Sequence, residues 1–243
     1  MDEAGISMSE FKSAFEKGNL FASGISVNYG SSLLVAKAGD AVSQGDGTDV
    51  SQKQVNLRVI GKQELATNIK IGMRMPSFQV LNQADARPWQ FQERLKSDGR
   101  WRIVVFAGDL LENAQMERVR ALGEALISPS SFISRFTPKG KPIDSLIEVL
   151  MIHSAPRVKI EFHDLPEIFR PFSERDGFDY WKIYVDDISY HEGHGKAYEG
   201  YGVDERKGCV VILRPDQYVS WIGHLEDVRE MDTFFSGFMK IRN

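Results

Sequence analysis

Asp186, Asp187, His191, Glu192 and His194 lie together in the stretch DDISYHEGHGKAYEGYGVD, which runs from Asp186 to Asp204. Three kinds of chemistry suit such residues. A metal site needs three or four nitrogen, oxygen or sulfur donors converging on one point. The spacing here is His-Glu-Gly-His, not the His-Glu-x-x-His that puts two imidazoles on one helical face, and Gly193 and Gly195 oppose a helix at that place. General acid–base catalysis needs a group that titrates near neutrality, and His191 or His194 beside Asp186 and Asp187 meets that need. The third reading is architecture: a polar loop after an inner strand, leading into a short helix, GKAYEGYG, closed by Gly202.

Other reactive side chains read more simply. His153 ends an apolar run and reads as a satisfied core histidine, whereas His163 and His224 sit in expected loops. Trp89, Trp101, Trp181 and Trp221 have no basic stripe beside them, so they read as core or interface area and not as a base-stacking platform. Cys209 is the single cysteine, so an internal disulfide and a Cys-x-x-Cys pair are both excluded; at the head of an apolar strand it reads as a small core residue.

The elements that must hold these residues follow from periodicity. FQVLN (78–82), WRIVVFAG (101–108), IEVLMIH (147–153) and YWKIYVD (180–186) are strand-like, and the near-continuous apolar runs predict strands buried on both faces. Met116, Val119, Leu122, Leu126 and Ile127 share one helical face, and DLPEIFRPF predicts a short helical or turn segment. RPWQFQERLKSDG, with Pro88 near its start and Gly99 past its end, predicts a helix. CVVIL and YVSWIG are joined by Arg214-Pro215-Asp216-Gln217, which predicts a β-hairpin. Val228, Met231, Phe234, Phe235, Phe238 and Met239 form the apolar face of a terminal helix. Near the start, Ser9 as N-cap and Gly18 as stop predict a short helix, ISVNYGSSLLVAKAG reads as extended, and KAGDAVSQGDGTDVSQK lacks periodicity. The expected divisions are an appendage over 1–36, a flexible linker over 37–56 and a globular unit over 57–243. Strand, helix, strand, long crossover, strand, hairpin and closing helix make an α/β order: a thioredoxin-like domain, a mixed central sheet flanked by helices, with an N-terminal appendage.

Composition bounds the function. Hydrophobic residues at 42% and aromatics at 11% suffice for a core, so whole-chain disorder is excluded. With 30 basic and 34 acidic residues the formal net charge is -4, and no dense Lys/Arg run offers a nucleic-acid footprint. No apolar window is long enough for a membrane span, the N-terminus MDEAGISMSE does not read as a signal peptide, and the lone cysteine suits a reducing, cytoplasmic setting.

Several long segments, MRMPSFQVLNQADARPWQFQERLKSDGRWRIVVFAGD, KPIDSLIEVLMIHSAPR, VDDISYHEGHGKAYEGYGVD, GCVVILRPDQYVSWIG and FFSGFM, together resemble the C-terminal part of fungal phenol 2-monooxygenases, from about Ser9 to the end. That resemblance implies a thioredoxin-like domain that takes part in dimerisation. SEFKSAFEKGNLFASGISVNYGSSLLV resembles the tail of the preceding substrate domain. In the full-length family FAD, NADPH and O2 serve the hydroxylation of a phenol beside its hydroxyl group. A Gly-x-Gly-x-x-Gly turn between strand and helix would hold the flavin pyrophosphate, and neither QGDGTDV nor HEGHGKAYEGYG stands in that context. The Asp, Tyr and Arg that activate the phenol belong to the preceding region, so no position here inherits those roles.

The resemblance places the 186–204 stretch outside the flavin site and so favours its architectural reading. The expectation is an assembly module, from a truncated product, an excised domain or a free-standing relative. It would carry no cofactor or metal of its own and no catalytic residue, and it would pair as a homodimer or with a flavin-containing parent. The alternative is a free-standing, cofactor-independent cyclase or isomerase acting on a phenolic metabolite, with His191, His194, Asp186 and Asp187 as candidates.

Overall fold

The computed structural model describes residues 7–22, 26–38 and 59–241. The described residues form a sheet of seven strands: β1 (Gln79–Asn82), β2 (Pro88–Gln90), β3 (Trp101–Gly108), β4 (Ile147–His153), β7 (Ile183–Val185), β10 (Cys209–Leu213) and β11 (Val219–Gly223), in the order β11-β10-β3-β4-β7-β1-β2. Two small hairpins lie outside it, β5 (Phe172–Ser173) with β6 (Gly177–Phe178) and β8 (Ile188–Ser189) with β9 (Gly193–His194). The helices are α1 (Met8–Ala22), α2 (Asn113–Ile127), α3 (Phe132–Phe136), α4 (Ala197–Tyr201) and α5 (Val228–Ser236).

β3 and β4 are parallel, β4 and β7 are parallel, and β10 returns antiparallel beside β3. With α2 as the crossover between β3 and β4, and α5 after the β10–β11 hairpin, this is the thioredoxin-like topology. The inner strands are buried on both faces. Ile103, Val105 and Ala107 of β3 pack with Val119, Leu122 and Leu126 of α2 and with Phe132, Met231 and Phe235. Val104 and Phe106 point the other way, into Phe91, Tyr184, Tyr198 and Tyr201.

The second residue of β3, the second of β4 and the residue just before β7 break the apolar runs: Arg102, Glu148 and Lys182, all buried. Arg102 and Glu148 stand opposite each other in the parallel register. Arg102 Nε donates to Glu148 Oε2 at 2.8 Å, and Lys182 Nζ bonds Glu148 Oε1 and, at 2.8 Å, Asp144 Oδ2. Burial opposes the charge on Lys182, but Glu148, Asp144 and Asp179 outweigh it and raise its pKa. Asp98 is likewise opposed by partial burial, yet Arg100 and Arg102 hold it at about 2.

Several expectations need correction. Residues 88–94 are not a helix: Pro88, Trp89 and Gln90 pair antiparallel with β1, and only Phe91–Arg94 turn helically. Asn82 Oδ1 accepts the amides of Ala84 and Asp85 and so closes a hairpin, and pairing with the edge of β1 overrides the local helical spacing. The third inner strand is shorter than 180–186, because Asp179 and Trp181 turn the chain before Ile183. At α1 the cap is Ser7, not Ser9: Ser7 Oγ accepts the Glu10 amide at 3.2 Å while Glu10 Oε2 accepts the Ser7 amide at 2.9 Å. Gly18 does not end that helix, which runs to Ala22 with its described side chains exposed. The 26–38 segment is bent rather than extended, and Val35 and Ala36 are buried against the sheet. The expected linker lies largely, over 39–56, outside the described residues.

The terminal helix forms with Met231, Phe234 and Phe235 buried, but it ends at Ser236, so Phe238 and Met239, expected on its face, pack against the core from the residues after it. Phe235 stacks on Phe132 at 5.2 Å between centroids and meets Trp101 edge-on at 5.6 Å. Phe235→Ala therefore opens a cavity between α3, α5 and β3 and costs about 3–5 kcal/mol in a denaturant titration; a loss below about 1 kcal/mol would mean that α5 does not pack there.

Candidate functional site

The 186–204 stretch is a short β-hairpin followed by a single-turn helix. The carboxylates of Asp186, Asp187 and Glu192 accept from backbone and side-chain amides, with Asp186 Oδ1 buried and, among the described residues, without a hydrogen-bond partner. Asp186 Oδ2 accepts the Tyr198 amide at 2.8 Å, so this carboxylate caps the start of α4. Asp187 Oδ2 accepts the Arg157 amide at 2.8 Å, and its Oδ1 accepts the Ile188 amide at 2.7 Å. Glu192 Oε2 accepts from Gln79 Nε2 at 2.7 Å, which ties the hairpin to β1. Gly195 passes over the Gln79 carbonyl so closely that a Cβ would sit 2.2 Å from that oxygen. Gly202 closes α4 in the left-handed region at φ +67°, as its position in the sequence requires.

Of the four candidates, the structure brings two together. His194 Nδ1 lies 3.4 Å from Asp186 Oδ1, but the same nitrogen accepts the Lys196 amide at 2.9 Å. That bond ties the His194 ring to the backbone at the end of the hairpin rather than to the carboxylate. His191 lies at the exposed hairpin tip, edge-on to Tyr190. Among the described residues no three His, Cys, Asp or Glu side chains gather in a way that could hold a metal ion.

One hub escaped the sequence reading. Tyr198 is fully buried, donates its hydroxyl to the Ile152 carbonyl at 2.8 Å and accepts the Gly108 amide at 2.7 Å. It thereby links the ends of β3 and β4, and burial raises its pKa well above the usual phenol. Its signal was the Ala197, Tyr198, Tyr201 spacing, which marks the buried face of α4. His153, expected as a core histidine, is one: its Nε2 stands 3.0 Å from Gln83 Oε1, while Gln83 Nε2 donates to the carbonyls of Arg157 and Ile160. Burial drives its pKa down to about 4, against the Ala155 backbone and the Asp187 carboxylate.

In redox members of this fold the thiol pair follows the strand equivalent to β3. Here that place is covered by the 204–208 turn, where the Asp109 amide donates to the Glu205 carbonyl at 3.1 Å. Cys209 is buried, and burial pushes its thiol up, away from thiolate chemistry. In HEGHGKAYEGYG, Gly193 turns the hairpin at φ +74°, Gly195 and Gly200 lie against Gln79 and Phe78, and Gly202 closes α4, so these glycines do not form the strand-to-helix turn that holds a flavin pyrophosphate. The other glycine-rich stretch, QGDGTDV, lies outside the described residues.

A cleft of about 860 Å³ opens beside the hairpin, between β2, the 156–158 loop and residues 187–192. It is open to solvent on the hairpin side, where Tyr190 is 95% exposed and Ile188 67%.

The profile described as "Phenol hydroxylase, C-terminal dimerisation domain" matches residues 27–243. The chain belongs to this family. A protein named FAD-dependent monooxygenase terD from Aspergillus terreus is 37% identical over 95% of the chain, and phenol 2-monooxygenase fsqG from Aspergillus fumigatus is 38% identical over 96%. A bacterial relative, 3-hydroxybenzoate 4-monooxygenase from Comamonas testosteroni, is 30% identical over 98%. In each case the phenol hydroxylase dimerisation domain and its short leader span about a third of the relative, 34% of its length.

Two outcomes follow for this dimerisation domain. His191→Ala/His194→Ala changes stability by no more than about 1 kcal/mol, since only one exposed hydrogen bond is lost, whereas Tyr198→Phe costs about 1–3 kcal/mol by stranding a buried amide and carbonyl. Elemental analysis of the wild type finds no stoichiometric metal; zinc, iron or manganese present and lost with the histidines would overturn this assignment. His153 also sets a pH response. Its folded-state pKa lies below the unfolded 6.5, so the stability it supports is whole above pH 6.5, falls as the pH drops through about 4 and then levels. The fall is on the order of 3 kcal/mol, and a His153→Gln variant measured in denaturant across that range shows a flatter dependence than the wild type.

Proposed function

We propose that the chain is the assembly module of a flavin-dependent aromatic hydroxylase. In this reading it pairs two subunits, while FAD and NADPH are held and a phenolic substrate is hydroxylated by other parts of a longer polypeptide, in the cytoplasm. The observation that carries it is the dimerisation-domain match over residues 27–243, set beside relatives three times as long that are named as monooxygenases. The polar stretch supports it, because its carboxylates already serve backbone amides. α1 supports it too: Met8, Phe11 and Phe15 make an exposed apolar stripe, fit to pack on a neighbouring region of such a polypeptide. Relatives named for different substrates share this part, so the parent's substrate is not set here.

The free-standing cyclase or isomerase rests on one observation, the cleft beside His191. We set it second, because Asp186, Asp187 and Glu192 are held as acceptors and none faces His191 as a partner base.

The purified chain is expected to be colourless and to leave added FAD unbound in equilibrium dialysis. In sedimentation it should form a dimer. Stoichiometric retention of flavin, or turnover of a phenolic metabolite by the chain alone, would sink the assembly reading.

A further inference from the structure

The two edges of the sheet are treated differently. β11 is covered by the chain itself: Ala36 donates to the Ser220 carbonyl at 2.7 Å, Lys62 to Ile222 at 2.8 Å, Gly72 to Val219 at 2.9 Å and Met75 to Gln217 at 3.0 Å. Among the described residues β2, at the other end, pairs only with β1. Pro88 supplies no amide there, which guards the edge against strand addition, so contact at this end runs through side chains.

At this end stand the most exposed large apolar side chains among the described residues of the matched region, Tyr190 at 95%, Val158 at 73% and Ile188 at 67%. They stand around the 860 Å³ cleft. Their support is rigid: Asp187 holds the base of the hairpin to the Arg157 amide, Glu192 ties its tip to Gln79, and Gly195 lies against the backbone of β1. An exposed tyrosine on a fixed hairpin is a low-entropy anchor. The rim carries both signs of charge. Arg87 and Arg157 line one wall and Glu192 the other, and among the described residues none of the three makes an ion pair. The Glu192 carboxylate bonds the neutral Gln79, Arg157 a carbonyl, and Arg87 stacks on Trp89, so charges of both signs are left to meet their opposites when the same patch of a second copy is brought up by a two-fold rotation.

We propose that this face, with Tyr190 and Ile188 seated in the partner's cleft, is where a second copy of the chain docks. The inference rests on the assembly reading and adds its surface. α1 is not that surface, because residues 8–22 lie outside the matched 27–243.

The test is sedimentation velocity of the 243-residue chain over a range of concentrations, with far-ultraviolet circular dichroism to confirm folding. Tyr190→Glu and Ile188→Glu are each expected to weaken the dimer at least tenfold with an unchanged spectrum, whereas Leu111→Glu, at an exposed site beyond the end of β3, leaves it intact. Because Tyr190 is almost wholly exposed, its variant keeps the fold even where Ile188→Glu does not. A charge-exchange pair adds a second measurement: Arg157→Glu and Glu192→Arg each weaken self-association, and mixing the two variants restores a dimer. A wild-type dimer that persists in Tyr190→Glu, or that Phe172→Glu dissociates instead, overturns this surface while leaving the assembly reading. A wild type that stays monomeric overturns both.

Discussion

The buried ladder of Arg102, Glu148 and Lys182 is the constraint on which the arrangement of the inner strands depends. Three charges on adjacent strands satisfy one another only in the observed register. A slip of one residue in any strand would turn its charge to the opposite face, among the aliphatic side chains under α2 and α5. An unpaired buried charge costs several kcal/mol, so the ladder selects one pairing even if its net contribution over an apolar equivalent is small. Once that register is set, β3 and β4 end side by side, and the polar loop after β7 falls across their ends.

That loop shows why reactive residue types need not mean chemistry. Asp186 and Asp187 face amides that would otherwise be stranded at the ends of strands and at the start of α4. Tyr198 takes the Gly108 amide and gives its own proton to Ile152. The corner where other members of the fold keep a reactive thiol pair is filled by a tyrosine hydroxyl and a tight turn. The scaffold persists while its usual reactive corner is closed by hydrogen bonds.

The unequal edges of the sheet give the molecule a direction. One end is sealed by segments 26–38 and 59–75, which belong to the same chain. The other presents aromatic and aliphatic side chains on short, well-anchored hairpins, together with Trp89 and Trp181, which are interleaved with Arg87 and Arg94 at 4.4–4.5 Å. Such surface suits association more than solvent.

By itself the sequence determined the inner strands, the β10–β11 hairpin, the helices α2 and α5, the closing glycine of α4 and the core character of His153 and Cys209. Each is a local signal: a continuous apolar run, a Pro-Asp turn, a 3.6-residue period, or a single residue with too few polar neighbours. The charge ladder stood as one charged residue near the start of each of three apolar runs and went unread, because nothing local says that the three will meet. Only the tertiary structure decided that Pro88–Gln90 pairs as an edge strand, because the unsatisfied edge of β1, six residues earlier, outweighs a helical pattern. Only it decided the fate of Asp186, Asp187, His191 and His194, since a carboxylate is a catalyst or a cap according to which group the fold brings within about 3 Å, and spacing along the chain carries no such distance.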